Sequence, residues 1–581
     1  MKLLLREYLG ALRERGELDA ILPDLLSALG HTVLWRPGVG TTQHGVDFAS
    51  VGPDENGRRT LYLFVIKAGD LTRADWSATP QGVQASLDEI LYVFLKTRVR
   101  PEHKKLPVAI CICFGGDYLE PVQLLATGYI EQHTTSTRRY EIWHGDHLAN
   151  ALLSGVLRED LLPKPLRSSF QKALAMLDEP DVAVHHFGRL VAQLLERAAA
   201  EPKAKIAALR QLYIALWVLY VWARDAENLE APCKASELAV LASWEMVRPH
   251  LGKKSKATDA LLRGVDQVIK LHIRINESFL ESRVFPHADK LHALSLAVGT
   301  RRSLDINLRL FDLLGRLTMQ GLWLLYLFQR ATEGDKGPLK TQLDRYVDRM
   351  FALIANNPSL CLPVKDEHAT EVALALILWS GVAVDADDGR AWIAEMVGRL
   401  GFALKSHGLY TCHLSDYADL AVHPVSSDEA YRQEVTQAST LVPLLAAWAH
   451  AAGLDETVAV LDHLAKTVLA HCSFQTWLPD ATSEDALYIG GATHGAALTD
   501  LPVTAEGVPL LALLAEEAKN NASFHQLSAI RSGMWPVALM AFRAQRLPIP
   551  PTFWIDILAP AEGFPPYADV AVPMQLNDGQ D

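Results

Sequence analysis

Two residues at the edges of short apolar runs stand in a pattern suited to metal-assisted hydrolysis of a phosphodiester. Asp47 follows Gln43-His44-Gly45-Val46 and opens one run at Phe48-Ala49. Lys67 closes a longer run, Leu61-Tyr62-Leu63-Phe64-Val65-Ile66, and precedes Ala68-Gly69-Asp70. An ammonium group ending an otherwise apolar strand is costly unless a carboxylate or phosphate lies close. A divalent cation lowers the pKa of bound water and clamps phosphoryl oxygens. Mg²⁺ takes hard oxygen ligands and keeps several waters, so a small set of carboxylates holds it. A lysine beside such a cation orients the nucleophile and stabilises developing charge. If the two runs pair as a hairpin, the acid and the lysine lie at the same end of one sheet.

The surrounding elements are arranged to do this. Residues 3–29 have leucines at helical spacing, and Gly30 follows where a helix end favours glycine. Segments 31–35, 46–51 and 61–66 read as strands, with 53–57 as a turn. The unbroken apolar character of 61–66 suits a central strand buried on both faces. Residues 81–96 read as a helix, 108–114 as a second buried strand ended by Gly115-Gly116, 140–143 as a further strand and 147–157 as a closing helix. The expected order is α-β-β-β-α-β-(irregular)-β-α. Beyond about residue 165 the text is helical, broken at 179–181, 334–338 and 356–358, with no fixed-period repeat. The expected division is an α/β domain over 1–162 and two helical domains over 163–350 and 351–581, with 548–566 as a proline-rich surface tail.

This ordered set resembles the PD-(D/E)xK nuclease superfamily, in the branch of Mrr-type restriction enzymes and archaeal Holliday-junction resolvases. The resemblance covers roughly residues 10–160 and rests on a helix acid, Gly45-Val46-Asp47 and a strand ending in Lys67. It implies a restriction-endonuclease-like fold, DNA as substrate, and Mg²⁺ or Mn²⁺ as cofactor. It also implies that Asp47 is the metal-binding acid, Lys67 the catalytic lysine and Glu17 an additional metal ligand from the first helix. Gln84, Gln43 and His44 are the polar residues assigned to substrate. One position departs from the pattern, which calls for an acid two residues before the lysine: Val65 stands there. Asp70, Asp88 and Glu89 are the acids available to replace it. Without replacement, the module is a non-catalytic scaffold or binding subunit. A nuclease front on a long helical chain further implies an effector of bacterial anti-phage defence or restriction, working with other protein subunits.

Composition sets the limits. The net charge is −13, and residues 1–165 hold 18 Lys and Arg against 20 Asp and Glu. That balance excludes a wholly basic, non-specific nucleic-acid binder and leaves room only for a local basic face. The six cysteines at 111, 113, 233, 361, 412 and 472 form no paired zinc-ligand spacing, so reduced thiols in a cytoplasmic protein are expected. The opening MKLLLREYLGALRERG is interrupted by charges, unlike a signal peptide. The apolar runs at 212–223, 322–328 and 372–379 are shorter than a membrane span, so buried helices are expected. Thr411-Cys412-His413 with His423, and the glycine-rich 490–495, are expected to be structural.

Overall fold

The longest apolar run of the N-terminal region becomes the centre of a five-stranded sheet. In the computed structural model, β3 (Arg59–Lys67) is buried from Thr60 through Ile66. The structure describes residues 5–6, 9–10, 12, 14, 18–35, 44–77, 82–155, 164–200, 204–382, 386–406, 409–423, 428–490 and 495–558. Helix α1 (Asp19–Ala28) leads into β1 (Thr32–Trp35), then β2 (Phe48–Pro53) and β3. These three strands are antiparallel neighbours, with Phe48 opposite Phe64 and Val51 opposite Leu61. Helix α2 (Val83–Glu89) then crosses to β4 (Val108–Phe114), which lies parallel to β3 with Lys67 opposite Phe114. Helix α3 (Glu120–His133) crosses to β5 (Arg138–Trp143), parallel to β4, and α4 (Gly145–Gly155) follows. The sheet order is β1-β2-β3-β4-β5.

One face of this sheet packs Leu61, Leu63, Val65, Ile110 and Ile112 against Val83, Leu87 and Ile90 from the α2 region and Val122, Ala126 and Tyr129 of α3. Alternation along each strand sends Tyr62, Phe64 and Ile66 to the other face.

The expected irregular stretch before β5 is largely the helix α3. Its signal is weak because Leu124 and Leu125 face solvent, so its apolar residues do not form one clean stripe. Two proline positions expected to break structure lie within helices. Pro338 is inside Glu333–Asn356, at its sixth residue, and Pro551 begins Pro551–Leu558 with Phe553, Trp554 and Ile555 buried. Proline is tolerated at the first position because early helical amides lack intrahelical partners. The rest of the expected proline-rich tail, from 559 on, lies outside the described residues.

The chain divides into two compact units, whose borders do not fall at 162 or 350. One comprises Met1–Ala239 with Ser255–Leu271, the other Val240–Lys254 with His272–Asp581. In the first, Lys164–Ala175 and Pro180–Ala200 form an antiparallel pair beside Lys205–Asp225. The helix Lys205–Arg224 is long and apolar enough to cross a membrane, but 78% of that window is buried inside the protein. The same composition serves a core helix.

The second unit is mostly helical and is built around Ser303–Arg330, which packs on Glu333–Asn356, Ala369–Val382 and Trp535–Ala544. Among the described residues, four short strands in two pairs interrupt it. A charged network runs through this packing. Arg543 donates to Asp312 Oδ1 at 2.6 Å and to the Asp312 carbonyl at 3.0 Å, and its Nε lies 3.5 Å from Glu371 Oε1. Arg546 pairs with the same Glu371 oxygen at 2.9 Å, and Arg316 pairs with Asp312 at 3.1 Å. Glu371 has no exposed side-chain surface, and burial pushes its carboxyl above the usual range.

All six cysteines are free thiols. His423 bonds to the Tyr410 carbonyl and His413 to that of Val435, so both are structural.

Candidate active site at the carboxyl end of the parallel strands

Asp47 immediately precedes β2 and Lys67 ends β3, so antiparallel pairing brings both to one end of the sheet. This is also the end where β4 and β5 terminate, the side on which open α/β sheets place ligands. The Asp47 amide donates to the Phe64 carbonyl at 2.9 Å, and its Oδ2 accepts from the Ile66 amide at 2.8 Å. The carboxylate therefore takes the place of a backbone acceptor and extends the ladder by one bond. Its charge also reaches β4: burial first, then Asp47, raises the Cys113 thiol.

The segment before Asp47 is held by close packing. Gly45 has φ +78°, and a Cβ there would overlap the Ser86 carbonyl of α2. His44, half-buried, turns the chain with φ 50°. Gly45→Ala combines a disfavoured backbone region with a backbone clash. It is expected to cost about 2–4 kcal/mol, read as a lower midpoint in chemical denaturation at unchanged m-value.

The lysine has the carboxylate partner its burial calls for. Lys67 Nζ lies 3.4 Å from Glu14 Oε2, with 16% of the lysine side chain and 32% of the glutamate exposed. Glu14 was not singled out in the sequence. It precedes Glu17 by three residues in the same leucine-rich segment, and nothing in that pattern ranks one above the other. Glu17 and Gln43 lie outside the described residues.

The replacement acids go elsewhere. Val65 is fully buried in the core beneath α2 and α3, so the position two before the lysine is a packing position. Asp70 Oδ1 accepts from the Asp117 amide at 2.7 Å and ties the loop after β3 to the loop after β4. Asp88 accepts from the Tyr129 hydroxyl at 2.7 Å, within the aromatic packing of Trp76, Tyr129 and Tyr140. Glu89 is exposed and Gln84 half-buried on α2.

The strand-end loops contribute charges that sequence reasoning passed over. Arg6 bonds Asp117 and lies 3.6 Å from Asp146. Asp70 adds a further attraction on Arg6. Beneath them the three loops are stitched by backbone bonds: Gly116 N to Gly69 O, Gly145 N to Gly116 O, and Leu71 N to Asp117 O, each 2.9–3.0 Å. Among the described residues the result is an acidic rim holding Asp47, Glu14, Asp70, Asp117 and Asp146, with Lys67 and Arg6 as cations.

Among the described residues, no three His, Cys, Asp or Glu side chains gather as a metal-binding group. Glu14, paired with Lys67, and Asp47, bonded to the preceding Ile66 amide, are two hard carboxylates at this end of the sheet. That donor set fits a Mg²⁺-type ion completed by water and substrate phosphate, and fits a zinc-type closed site poorly.

Compared with protein-family models, curated proteins and solved structures, the chain matches none.

Proposed function

We propose that the N-terminal sheet is a metal-dependent phosphodiesterase acting on DNA, of restriction-endonuclease-like design. The observation that carries this is Lys67, an ammonium ending the central strand, with Glu14 at 3.4 Å and Asp47 bonded to the neighbouring residue of the same strand. An antiparallel β1-β2-β3 followed by a parallel β4 after a helix supports the fold assignment. In this reading Asp47 and Glu14 hold Mg²⁺ or Mn²⁺, which when bound supplies an activated water and charge neutralisation. Lys67 orients the attacking oxygen and stabilises charge on the phosphoryl group. The helical unit docks further subunits or senses a trigger in a cytoplasmic defence or restriction system.

A second reading, a non-catalytic scaffold on the same fold, is favoured by Val65 and by the commitment of Asp70 and Asp88 to structural bonds. Plasmid cleavage with Mg²⁺ or Mn²⁺ separates the two. The nuclease reading expects metal-dependent nicking that falls at least about a hundredfold in Lys67→Ala. Unchanged cleavage in that variant removes Lys67 from the site. No cleavage by the full-length protein at saturating metal decides for the scaffold.

A further inference from the structure

The opposite end of the same sheet is basic, and we infer that it is a docking surface for the phosphodiester backbone of duplex nucleic acid, separate from the rim around Lys67. Three connections lie side by side there: the β2–β3 turn (53–59), the segment entering β4 (96–107) and the segment entering β5 (134–139). Leu61 N donates to Pro107 O and Val108 N to Thr137 O, each at 2.9 Å, so neighbouring connections are bonded in register. Together they carry nine Lys or Arg against three Asp or Glu, in a protein whose net charge is −13.

The cations are available. Arg58, Arg59, Arg98, Arg100, Lys104 and Lys105 are all exposed. Among the described residues none of these six has a carboxylate within ion-pair distance. Of the three acids there, Asp54 is paired with Arg139 and Glu102 with His103, and Glu55 is exposed. Elsewhere in the chain exposed cations do sit on carboxylates, as Lys270 does on Asp266 and Lys466 on Asp462. A partner that neutralises the six therefore breaks no internal pair.

The missing ingredient identifies the partner's class. A protein interface has an apolar centre. None of the exposed large apolar side chains falls in these three connections; the nearest in sequence, Tyr92, has Lys96 over its ring. An array of cations without an apolar centre suits a phosphate backbone, whose affinity comes from counterion release. β3 spans nine residues, so the two ends are about 26 Å apart and meet different phosphates. The docking surface stands without the nuclease reading, because it uses none of its residues.

The test is fluorescence anisotropy of the full-length protein with labelled duplexes of about 30 base pairs, DNA and RNA in separate arms, in EDTA and across about 50–200 mM salt. Wild type is expected to bind and to weaken linearly in log–log form as salt rises. The variant Arg98→Gln/Arg100→Gln/Lys104→Gln/Lys105→Gln is expected to bind at least about tenfold more weakly, with a slope shallower by about 3–4. Its circular dichroism melt should match wild type. Lys466→Gln, at an exposed cation outside both ends of the sheet, should bind as wild type, and because EDTA removes the metal, failure of cleavage and failure of docking are read separately. Preference for either duplex names the source and supports the surface. Wild-type affinity in the quadruple variant, no wild-type binding at the lowest salt, or displacement of the duplex by polyglutamate at equal charge would overturn it.

Discussion

Asp47→Asn should abolish metal-dependent cleavage and leave the protein as stable as wild type, whereas Asp47→Ala should lose both. The reason lies in the two tasks of one carboxylate. Its Oδ2 accepts from the Ile66 amide at 2.8 Å, a bond the asparagine carbonyl can also make. Ligating a divalent cation needs the negative charge, which asparagine lacks. Initial rates on supercoiled DNA should fall at least about a hundredfold in both variants. Thermal melts should separate them, with alanine costing about 1–3 kcal/mol because a buried amide at the end of β3 loses its acceptor. An asparagine variant that cuts like wild type reduces Asp47 to a strand cap. The alanine variant alone would not reveal that, since unfolding would mimic loss of catalysis.

The largest effect on stability is expected in the second unit, at Arg543→Ala. Only 7% of the Arg543 side chain is exposed, and it lies between Asp312 and the fully buried Glu371. Truncation leaves Glu371 with Arg546 alone, whose own side chain is 45% exposed. Breaking a buried pair from one side costs about 3–5 kcal/mol. For a unit of this size that lowers the melting temperature by roughly 4–7 °C. The deficit should depend on pH with a definite sign. Burial already raises the Glu371 carboxyl, so the folded state favours its protonated form. That contribution is present at low pH and is lost as pH rises through the raised folded value. The gap between variant and wild type should therefore widen from acid toward neutral pH. Adding Glu371→Gln should recover part of the loss by removing the uncompensated charge. A gap that is flat across pH would mean that Glu371 is not the group left exposed to the change.

How far the sequence foretold this arrangement depends on the range of the forces involved. The position of Lys67 was legible because an unbroken apolar run fixes a central strand, and a lysine at its end stands out against it. Gly45-Val46-Asp47 was legible as a turn into a strand, though β2 begins at Phe48, later than the alternation suggested. The lysine's partner was not legible. Glu14 and Glu17 share one leucine-rich segment, and which of them reaches Lys67 depends on tertiary packing. The acids available to replace Val65 follow Lys67 in sequence, but Asp70 and Asp88 bond to an amide on the next loop and a hydroxyl on α3, partners 47 and 41 residues distant. The basic end of the sheet was hidden for a related reason. Its charges come from three separated connections, and the overall acidic balance of the chain masks them until the strands are put in register.

The stitched loops beneath the acidic rim carry one more implication. A side chain added at Gly115, Gly116 or Gly145 would run into the backbone of a neighbouring segment. This floor is therefore nearly immutable: it cannot be reshaped by substitution without moving three crossovers at once. Diversification of what the rim accepts has to come from the side chains that line it, Arg6 and Glu14 among them. Lineages of this protein should accordingly vary their preference at those side chains while the glycine floor stays constant.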